Sequence, residues 1–152
     1  MTAPERLALR VFFDSSCVIA GAFSRDGASN MLLQLSALGL LDGRISPEVR
    51  EESVRNVTRK LPGALPALRV LLAEAPTEGP AATAEECARA AGFADAKDAP
   101  ILASATAQAC RYLLTLNERD FWPPPEWIQV VRPGPFLANL RTLISQATIS
   151  GS

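Results

Sequence analysis

The chain has 152 residues and a mass of 16.2 kDa, so we expect a single domain over residues 1–152. Apolar residues make up 48 % and charged residues 20 %, which predicts a packed globular core, and the formal net charge of -1 gives no overall sign of nucleic-acid binding. The chain contains no histidine, which excludes Ser-His-Asp and Cys-His nucleophile systems as well as His-ligated zinc and haem. Any hydrolytic chemistry must therefore depend on carboxylates, hydroxyls, basic side chains and a hard metal ion.

Cysteine usage and apolar patterning indicate a cytoplasmic protein with no membrane association. The three cysteines, Cys17, Cys87 and Cys110, are an odd number without C-x-x-C spacing, so we expect free thiols in a reducing compartment. The N-terminus shows no apolar run behind a basic region, which a signal peptide would have. The longest apolar stretches, 31–41 and 99–116, are interrupted by polar residues, so neither is expected to span a bilayer.

The first elements predicted along the chain are a strand and a capped helix. Residues 7–13 (LALRVFF) are apolar apart from Arg10, which fits a strand covered on both faces, as in a parallel sheet. Asp14, Ser15 and Ser16 then supply N-cap chemistry for a helix at 17–23. The pattern further predicts, in chain order, a turn at 24–27, a helix at 28–38, a strand at 43–45, helices at 47–60 and 65–75, a loop at 76–80, helices at 84–91 and 99–110, a strand at 111–116, a loop at 122–125, a strand at 128–131 and a helix at 135–147.

Strands that alternate with helices over this length indicate an α/β layered fold with a parallel sheet. The helix boundaries carry their own signals. Gly39 is a good C-cap, and Ser46-Pro47-Glu48 combines an N-cap hydroxyl, a first-turn proline and an acid near the positive end of the helix dipole.

Acidic and polar side chains follow the predicted strands at the positions where α/β sheets bind ligands. Asp14 ends the first strand, and Thr115, Asn117 and Asp120 lie at or just beyond the end of the 111–116 strand. Asp98 begins the helix that leads into that strand. Spacing alone leaves open whether these groups meet in space. If they do, their mutual repulsion calls for a divalent hard cation such as Mg²⁺ or Mn²⁺, which activates water against a phosphodiester.

Each of these acids also has an ordinary structural explanation. Asp14 and Asp98 both stand immediately before predicted helices, where an aspartate serves as an N-cap. Asp120 lies in a polar loop, where a solvated carboxylate is the default.

The predicted helix at 47–60 contains three glutamates, Glu48, Glu51 and Glu52, in a charge-rich segment where a solvated face is the default. At about 100° per residue, Glu51 and Glu52 flank opposite edges of the apolar arc, each roughly 60° from it. Glu51 also precedes Arg55 by four residues, a spacing that allows an ion pair. The periodicity therefore does not choose between these two glutamates.

Three segments, in order, resemble the PIN-domain family. The segment VFFDSSCVIAGAF (residues 11–23) resembles its first strand and Asp-Thr-Asn turn, and ISPEVREES (45–53) resembles its strand–Ser–helix segment with the second acid. The third segment, KDAPILASATAQACRYLLTLNERDF (97–121), resembles its later acidic block, with a strand that ends in Thr-x-Asp or Thr-x-Asn. The resemblance covers most of residues 8–121. It implies a three-layer α/β/α sandwich with a central, mostly parallel sheet and a Mg²⁺- or Mn²⁺-dependent endoribonuclease.

The resemblance also implies partners and roles for individual residues. Small single-domain members, such as VapC-type toxins, are commonly the toxin halves of toxin–antitoxin pairs and cleave tRNA, rRNA or mRNA. The catalytic acids implied by position are Asp14, Glu52, Asp98 and Asp120, of which Asp14, Asp98 and Asp120 hold the metal. The residues implied to position water or phosphate are Ser15, Ser16, Thr115 and Asn117.

Two positions depart from the family pattern. Ser16 stands where Asn is usual, and Asn117 stands where many members have Asp. The fourth family acid therefore falls at Asn117 or Asp120. Because Asn contributes no charge, one metal ion is expected rather than a full two-metal site.

An RNA substrate requires a basic surface. The expected RNA-binding residues lie on the same helix as Glu52 and are Arg50, Arg55, Arg59 and Lys60, although a solvated helix face is the default explanation for any one of them. Three aromatic residues lie nearest the site in sequence: Phe121, Trp122 and Trp127. They either stack on bases or pack against the proline-rich loop at 123–125, and packing is the expectation.

The apolar residues of the 28–38 helix and its flank exceed what a thin helical layer needs. They are Met31, Leu32, Leu35, Leu38 and Leu40, and we expect part of this surface to contact a second copy of the chain or an antitoxin helix.

Two other functions remain as alternatives. A non-catalytic RNA- or protein-binding module is favoured by Asn117 and disfavoured by the three acids Asp14, Glu52 and Asp98. Phosphoryl transfer through an aspartyl-phosphate at Asp14 is disfavoured, because haloacid-dehalogenase-like enzymes place a second Asp where this chain has Ser16.

Overall fold

Five parallel strands form one sheet, and their spatial order differs from their order along the chain. The computed structural model describes residues 9–150. The strands are β1 (Leu9–Phe13), β2 (Leu41–Ile45), β3 (Thr77–Glu78), β4 (Tyr112–Leu114) and β5 (Gln129–Val131), arranged in the order β3-β2-β1-β4-β5. The strand predicted at 7–13 includes Leu7 and Ala8, which lie outside the described residues.

Helices cover both faces of this sheet, which gives the three-layer α/β/α sandwich that the sequence predicts. They are α1 (Ser15–Phe23), α2 (Ala28–Ala37), α3 (Pro47–Lys60), α4 (Leu65–Glu74), α5 (Ala84–Ala90), α6 (Ala99–Ala107) and α7 (Pro133–Ser150), with short 3₁₀ turns at Pro62–Ala64 and Glu118–Phe121. Within residues 9–150, no helix combines the length and the hydropathy that a bilayer crossing requires.

The core forms on both sides of β1. Val11, Phe12 and Phe13 are each 0 % exposed, and successive side chains of a strand point to opposite faces of the sheet. Leu32 of α2 and Leu102 of α6 are equally buried in the same core. Continuous burial of this kind requires helices on both faces, which explains why the apolar run of β1 shows no alternation.

Capping side chains fix the ends of several helices. Ser46 Oγ accepts a hydrogen bond of 3.4 Å from the Val49 N–H, and Pro47 occupies the first turn of α3. Thr83 and Glu86 form a reciprocal capping box at the start of α5. Gly39, just beyond α2, adopts φ +79°, a left-handed conformation that glycine tolerates and that ends the helix there.

Several boundaries differ from those predicted. The predicted loop at 76–80 contains β3, a two-residue strand that the sequence does not mark by hydrophobic alternation, although it pairs with β2. The α6 helix ends at Ala107 rather than at residue 110, because Ala109 adopts φ 58° and the chain turns. The β4 strand is limited to the three residues that pair with both of its neighbours, and α7 begins two residues earlier than predicted, at Pro133.

The strand order reverses between β1 and β4. The chain passes from β1 through β2 to β3 on one side of the sheet, and then crosses to β4 and β5 on the other. The carboxyl ends of strands on either side of such a reversal border a crevice, where open α/β sheets bind their ligands. The Asp14 N–H donates a hydrogen bond of 2.9 Å to the Leu114 carbonyl, so Asp14 and Thr115 lie side by side at this crevice.

Candidate functional site

Asp14 ends β1 at the crevice, and its carboxylate accepts hydrogen bonds from three residues. Oδ1 accepts a hydrogen bond of 2.8 Å from the Ser15 N–H at the start of α1. Oδ2 accepts hydrogen bonds from the hydroxyls of Thr115 at 2.7 Å and Ser16 at 3.2 Å. Helix capping therefore accounts for one oxygen of Asp14, while the other faces β4. The residue is only 6 % exposed, so its charge lies mostly out of water.

Asp98 immediately precedes α6 but does not cap it. Its backbone is helical, and its side chain makes no capping hydrogen bond. Because α6 leads into β4 from the carboxyl edge of the sheet, the start of this helix lies at the crevice. Asp98 is 7 % exposed, and its buried Oδ2 accepts no hydrogen bond from the described residues. The N-cap explanation that the sequence allowed is therefore wrong for Asp98.

Asp98 belongs to an acidic cluster with Asp95 and Asp120. Carboxylate oxygens of these three residues lie within 4.8 Å of one another. The backbone holds them in place, because the Asp95 N–H donates to the Asp120 carbonyl at 2.9 Å and the Asp98 N–H donates to the Asp95 carbonyl at 2.8 Å. Lys97 Nζ lies 3.4 Å from Asp98 Oδ2 and 3.5 Å from Asp120 Oδ2, so its ammonium partly compensates the cluster.

Burial raises the pKa of Asp14 above its ordinary value of 3.8. Hydrogen bonds from the Thr115 hydroxyl and the Ser15 N–H act in the opposite direction, and the negative charge of Glu52 raises the pKa further. The fold thus brings Glu52 of α3 within electrostatic range of Asp14.

Burial also raises the pKa of Asp98, from 3.8 to about 6. The ammonium of Lys97 opposes this shift, while the charges of Asp120 and Asp14 add to it. Carboxylates that come from β1, from the start of α6 and from the turn after β4 therefore act on one another. The site therefore carries more negative than positive charge, and a bound cation would relieve the repulsion between its carboxylates.

The structure distinguishes the two glutamates that the helical wheel left open. Glu52 is half-buried and its charge acts on Asp14. Glu51 is exposed and lines a groove between α3 and α4, together with Arg50. Glu48 lies one turn before Glu52 on the same helix, and its Oε1 is buried without a hydrogen bond from the described residues. Of the glutamates of α3, Glu52 is therefore the one whose charge reaches Asp14.

The predicted positioning residues form a chain of hydroxyl and backbone contacts beside Asp14. Ser16 Oγ lies 3.3 Å from Thr115 Oγ1 and accepts a hydrogen bond of 3.0 Å from the Leu116 N–H. Thr115 Oγ1 accepts a hydrogen bond of 3.0 Å from the Asn117 N–H. Ser15 contributes its backbone N–H to Asp14, whereas the Asn117 side chain is exposed at the edge of the crevice.

The four cations of α3 predicted to bind RNA are exposed, but they do not contact the acids of the site. Arg50 Nε forms an ion pair of 2.7 Å with Glu78 of β3, and Arg59 donates to Asn56 at 3.4 Å. Arg50 and Arg55 line the groove between α3 and α4. Lys60 is exposed at the end of the helix.

Two of the three aromatic residues pack within the fold, and packing against the proline-rich loop stays a prediction. Phe121 is 1 % exposed. Trp127 meets the ring of Phe93 edge to face at a centroid distance of 5.1 Å and donates a hydrogen bond of 3.0 Å to Thr106. Trp122 remains 73 % exposed in the loop that follows the 3₁₀ turn.

Part of the apolar surface predicted on α2 belongs to the core. Leu32 is fully buried and Leu35 is half-buried, so these two residues stabilise the monomer. Met31, Leu38 and Leu40 remain exposed, the last two by 73 % and 62 %.

The donor set of the site fits a hard divalent cation. Carboxylate oxygens are the ligands that Mg²⁺ and Mn²⁺ prefer, and the buried Oδ2 of Asp98 meets only the ammonium of Lys97, at 3.4 Å, among the described residues. Asp98 and Asp120, which share the cluster with Asp95, would hold the ion together with Asp14, whose charge acts on Asp98. A thiol ligand is disfavoured, because burial raises the pKa of the nearby Cys17 thiol and keeps it protonated.

The sequence analysis missed two members of this site, Asp95 and Lys97. Asp95 precedes Asp98 by three residues in the segment DAKD, a spacing that one tight turn brings together. Lys97 lies between them in sequence, and its charge was the available signal for a counter-ion. The positions of both residues depend on the turn before α6, and the periodicity of apolar residues does not predict that turn.

The doubly covered parallel sheet and the acids at its reversal point define an α/β protein with a candidate ligand site at the carboxyl edge of its strands. The family model of the PIN domain matches residues 10–119. The chain belongs to the PIN domain family, as its three sequence segments indicate. No curated protein matches it in sequence.

Solved structures share this fold at low sequence identity. A chain of VapBC2 from Rickettsia felis, solved with a DNA fragment from the promoter, has 15 % identity and a TM-score of 0.62 over 82 % of this chain and 98 % of its own. The protein PAE2754 from Pyrobaculum aerophilum has 15 % identity and a TM-score of 0.66 over 90 % and 98 %. VapC20 from Mycobacterium tuberculosis, described as a sarcin–ricin-loop-cleaving toxin, has 16 % identity and a TM-score of 0.52 over 71 % and 90 %.

Proposed function

We propose that this PIN domain, formed by the chain as a single domain, is a Mg²⁺- or Mn²⁺-dependent endoribonuclease and the toxin of a toxin–antitoxin pair. The observation that carries the proposal is the convergence of Asp14 and Asp98 at the strand-order reversal. Asp14 and Asp98 are 6 % and 7 % exposed, and the buried Oδ2 of Asp98 lies 3.4 Å from the ammonium of Lys97, a side chain that is itself 72 % exposed. Such an arrangement destabilises the fold unless a cation compensates it.

In this proposal, Asp14, Asp98 and Asp120 hold the cation. When bound, the cation neutralises charge on the phosphodiester and polarises it towards attack by water. Thr115 and Ser16 keep Oδ2 of Asp14 in a fixed direction through their hydroxyl hydrogen bonds. The donors are pre-ordered, so little reorganisation is needed when substrate arrives.

Glu52 is the fourth catalytic acid of the proposal. It is half-buried, and its negative charge acts on Asp14. We assign it to orienting the attacking water and accepting its proton. Ser15, Ser16, Thr115 and Asn117 supply hydroxyl, amide and backbone groups along the same edge, and we assign them to positioning water and phosphate.

RNA is the proposed substrate, and the exposed cations of α3 are its proposed wider binding surface. Arg55 and Arg59 come three and seven residues after Glu52, so they lie on the side of the helix that carries this acid. Arg50 and Lys60 are exposed at the two ends of the same helix. That VapC20, a structural relative, is described as a toxin that cleaves the sarcin–ricin loop supports RNA as the substrate class.

An antitoxin protein is the proposed partner, and the exposed apolar side chains at the end of α2 are proposed to form a homodimer contact. The structural likeness to VapBC2, solved with DNA from its promoter, supports a partner of this kind. The protein would act in the cytoplasm, where its free thiols Cys17, Cys87 and Cys110 stay reduced.

The test combines metal binding with RNA cleavage. Wild-type protein is titrated with Mn²⁺ by calorimetry and incubated with total cellular RNA, whose new 5′ ends are then sequenced. We expect one Mn²⁺ site and discrete cleavage positions, and we expect Asp98→Asn to lose at least about 100-fold in cleavage rate. Glu74→Gln is the matched control, because Glu74 is an exposed acid at the end of α4, near the opposite edge of the sheet. Cleavage by Asp98→Asn at the wild-type rate would overturn the proposal.

The second candidate is a non-catalytic RNA- or protein-binding module. It is favoured by Asn117, an uncharged side chain at a position where many family members carry an acid. In this case the wild-type protein gives no heat with Mn²⁺ and yields no new RNA 5′ ends, while still retaining RNA in a filter-binding assay.

A further inference from the structure

A polar pocket of about 380 Å³ opens beside the acidic cluster, beyond the carboxyl end of β4. Its lining residues are Leu116, Asn117, Glu118, Arg119, Asp120 and Arg132. Asp120 belongs to both the pocket and the acidic cluster, so the two features share a wall. The pocket also contains two arginines that the sequence analysis did not assign to any role.

Arg132 is held in place at the junction between β5 and α7. Its Nη1 donates a hydrogen bond of 3.1 Å to the Leu116 carbonyl and lies 3.4 Å from Glu118 Oε1. The residue is about half exposed, so much of its guanidinium remains open to solvent. Since α7 begins at Pro133, the positive end of this long helix lies next to Arg132 and adds to the positive potential.

Arg119 is the less restrained of the two arginines. It is exposed and, within residues 9–150, has no acidic partner within 4.0 Å. Its backbone is nevertheless fixed, because the 3₁₀ turn that carries it is anchored by the buried ring of Phe121 and by the 3.0 Å hydrogen bond from the Asp120 N–H to the Asn117 carbonyl. A guanidinium on a rigid turn beside a cation site is placed to accept an anion at low entropic cost.

The cations of α3 are less well placed for this purpose. Arg50 is neutralised by Glu78 at 2.7 Å and faces the groove next to α4. By contrast, Arg119 and Arg132 share a pocket with Asp120, one of the proposed metal ligands. An RNA strand whose scissile phosphate lies at the acidic cluster must place its next phosphate close by. In the pocket, Arg119 is the guanidinium available to meet it, and Arg132, whose 3.4 Å contact with Glu118 is longer than the 2.7 Å pair of Arg50, is the second.

We infer that this pocket binds a backbone phosphate of single-stranded RNA next to the scissile one, and that Arg119 and Arg132 position the substrate through it. The inference rests on the proposed function, because it takes RNA as the substrate. Phosphate contacts fix the register of a nucleic acid without reading its sequence, so these residues contribute affinity rather than base preference.

The test measures binding of a fluorescein-labelled, short single-stranded RNA of mixed sequence to the Asp98→Asn protein by anisotropy over a range of salt concentrations. We expect Arg119→Ala and Arg132→Ala each to weaken binding about five- to tenfold, and to reduce the slope of log K against log salt by about 0.7. Arg132→Lys checks for misfolding, since it keeps the charge, and its loss should be smaller. In the otherwise wild-type enzyme, the same arginine variants should raise KM more than they lower kcat.

Arg111→Ala is the matched control, because Arg111 is exposed at the amino end of β4, the opposite end from Arg119. Wild-type affinity and salt slope in both Arg119→Ala and Arg132→Ala would overturn the inference, as would an equal loss in Arg111→Ala. The proposed function survives that outcome if Asp98→Asn still abolishes cleavage. Failure of the proposed function gives a different result, which is cleavage by Asp98→Asn at the wild-type rate.

Discussion

Thr115 Oγ1 donates a hydrogen bond of 2.7 Å to Oδ2 of Asp14, and this bond joins the ends of the two central strands. Thr115 is fully buried and Asp14 nearly so. A hydrogen bond to a buried charged group contributes more than one between neutral groups, typically about 1.5–3 kcal/mol. The contact therefore both stabilises the sheet and fixes the direction of the acid.

The variant Thr115→Val tests this relationship, because it removes the hydroxyl and keeps the side-chain shape. We expect a loss of about 2 kcal/mol in the free energy of unfolding and weaker Mn²⁺ binding, since Asp14 loses its shortest hydrogen bond. Denaturant unfolding and calorimetry measure the two effects. Thr58→Val, at an exposed position of α3, is the control and should change neither quantity. Unchanged Mn²⁺ affinity in Thr115→Val would contradict a positioning role.

Lys97 provides a second prediction, because its ammonium lies where a metal ion would compensate the acidic cluster. Replacing it in Lys97→Gln removes a competing positive charge at 3.4 Å from Asp98 and 3.5 Å from Asp120. We expect Mn²⁺ affinity to rise about threefold, with little change in stability because the lysine is exposed. Calorimetry at low ionic strength measures the difference, and Lys60→Gln is the control. A fall in affinity would show that Lys97 assists metal binding.

The raised pKa of Asp98 predicts how metal-free stability depends on pH. Its pKa is about 6 in the folded chain, mainly because of burial, against an ordinary value of 3.8. Between these values the folded state keeps a proton that the unfolded state releases, so stability falls as pH rises through this window. The Tm of the metal-free wild type should therefore drop relative to that of Asp98→Asn between about pH 4 and pH 6.

Ionisation of Asp98 lowers the stability of the metal-free protein but should raise its affinity for a metal ion. Mn²⁺ requires the ionised carboxylate, so its affinity should increase with pH until Asp98 is fully ionised, somewhat above its pKa of about 6. Calorimetry across this range in chelator-treated protein measures the rise. A flat profile from pH 5 to pH 7 would mean that Asp98 does not bind the ion.

Leu38 and Leu40 predict a contact between two copies of the chain. They are 73 % and 62 % exposed at the end of α2, away from the crevice. We expect the isolated protein to be a dimer in light scattering and the double variant Leu38→Glu, Leu40→Glu to be a monomer with nearly unchanged Tm. Leu61→Glu, at a half-exposed leucine after α3, should leave the dimer intact. If the wild type is itself monomeric, the homodimer proposal is wrong, and these leucines remain available to an antitoxin.

Gly43 tests the packing of α2 against the sheet. A methyl group added here would lie 2.4 Å from Ser36 Oγ and 2.6 Å from a ring carbon of Phe13. Ser36 also accepts a hydrogen bond from the Gly43 N–H and donates one to the Ala75 carbonyl, so it cannot move without losing them. Gly43→Ala should therefore cost about 2 kcal/mol in the free energy of unfolding, measured with denaturant. Gly63→Ala, where a methyl group meets nothing within 4 Å, is the control.

The sequence predicts the local elements of this fold well and its long-range contacts less well. The apolar run of β1 and the caps of α3 and α5 are local signals, and the structure confirms them. The strand β3 has only two residues and no apolar pattern, because it pairs at the edge of the sheet with both side chains exposed. Its position is set by pairing with β2, and this long-range contact cannot be predicted from the local sequence.

For the site as well, local features could be predicted from the sequence and long-range contacts could not. The position of Asp14 at a strand end follows from the residues around it, but its proximity to Asp98 depends on strand order, which periodicity does not encode. The resemblance to PIN domains was therefore needed to connect the two. Asp95 and Lys97 escaped prediction because the tight turn that brings them to the cluster is held by backbone hydrogen bonds.

The reversal of strand order between β1 and β4 divides this crevice between separate stretches of polypeptide. One continuous stretch, residues 115–132, supplies Thr115, Asp120 and both pocket arginines, while Asp14 and Glu52 come from the other half of the sheet. The phosphate contacts proposed here therefore come from one segment of the chain. Exchanging this single stretch between family members would move the two arginines without moving Asp14 or Glu52.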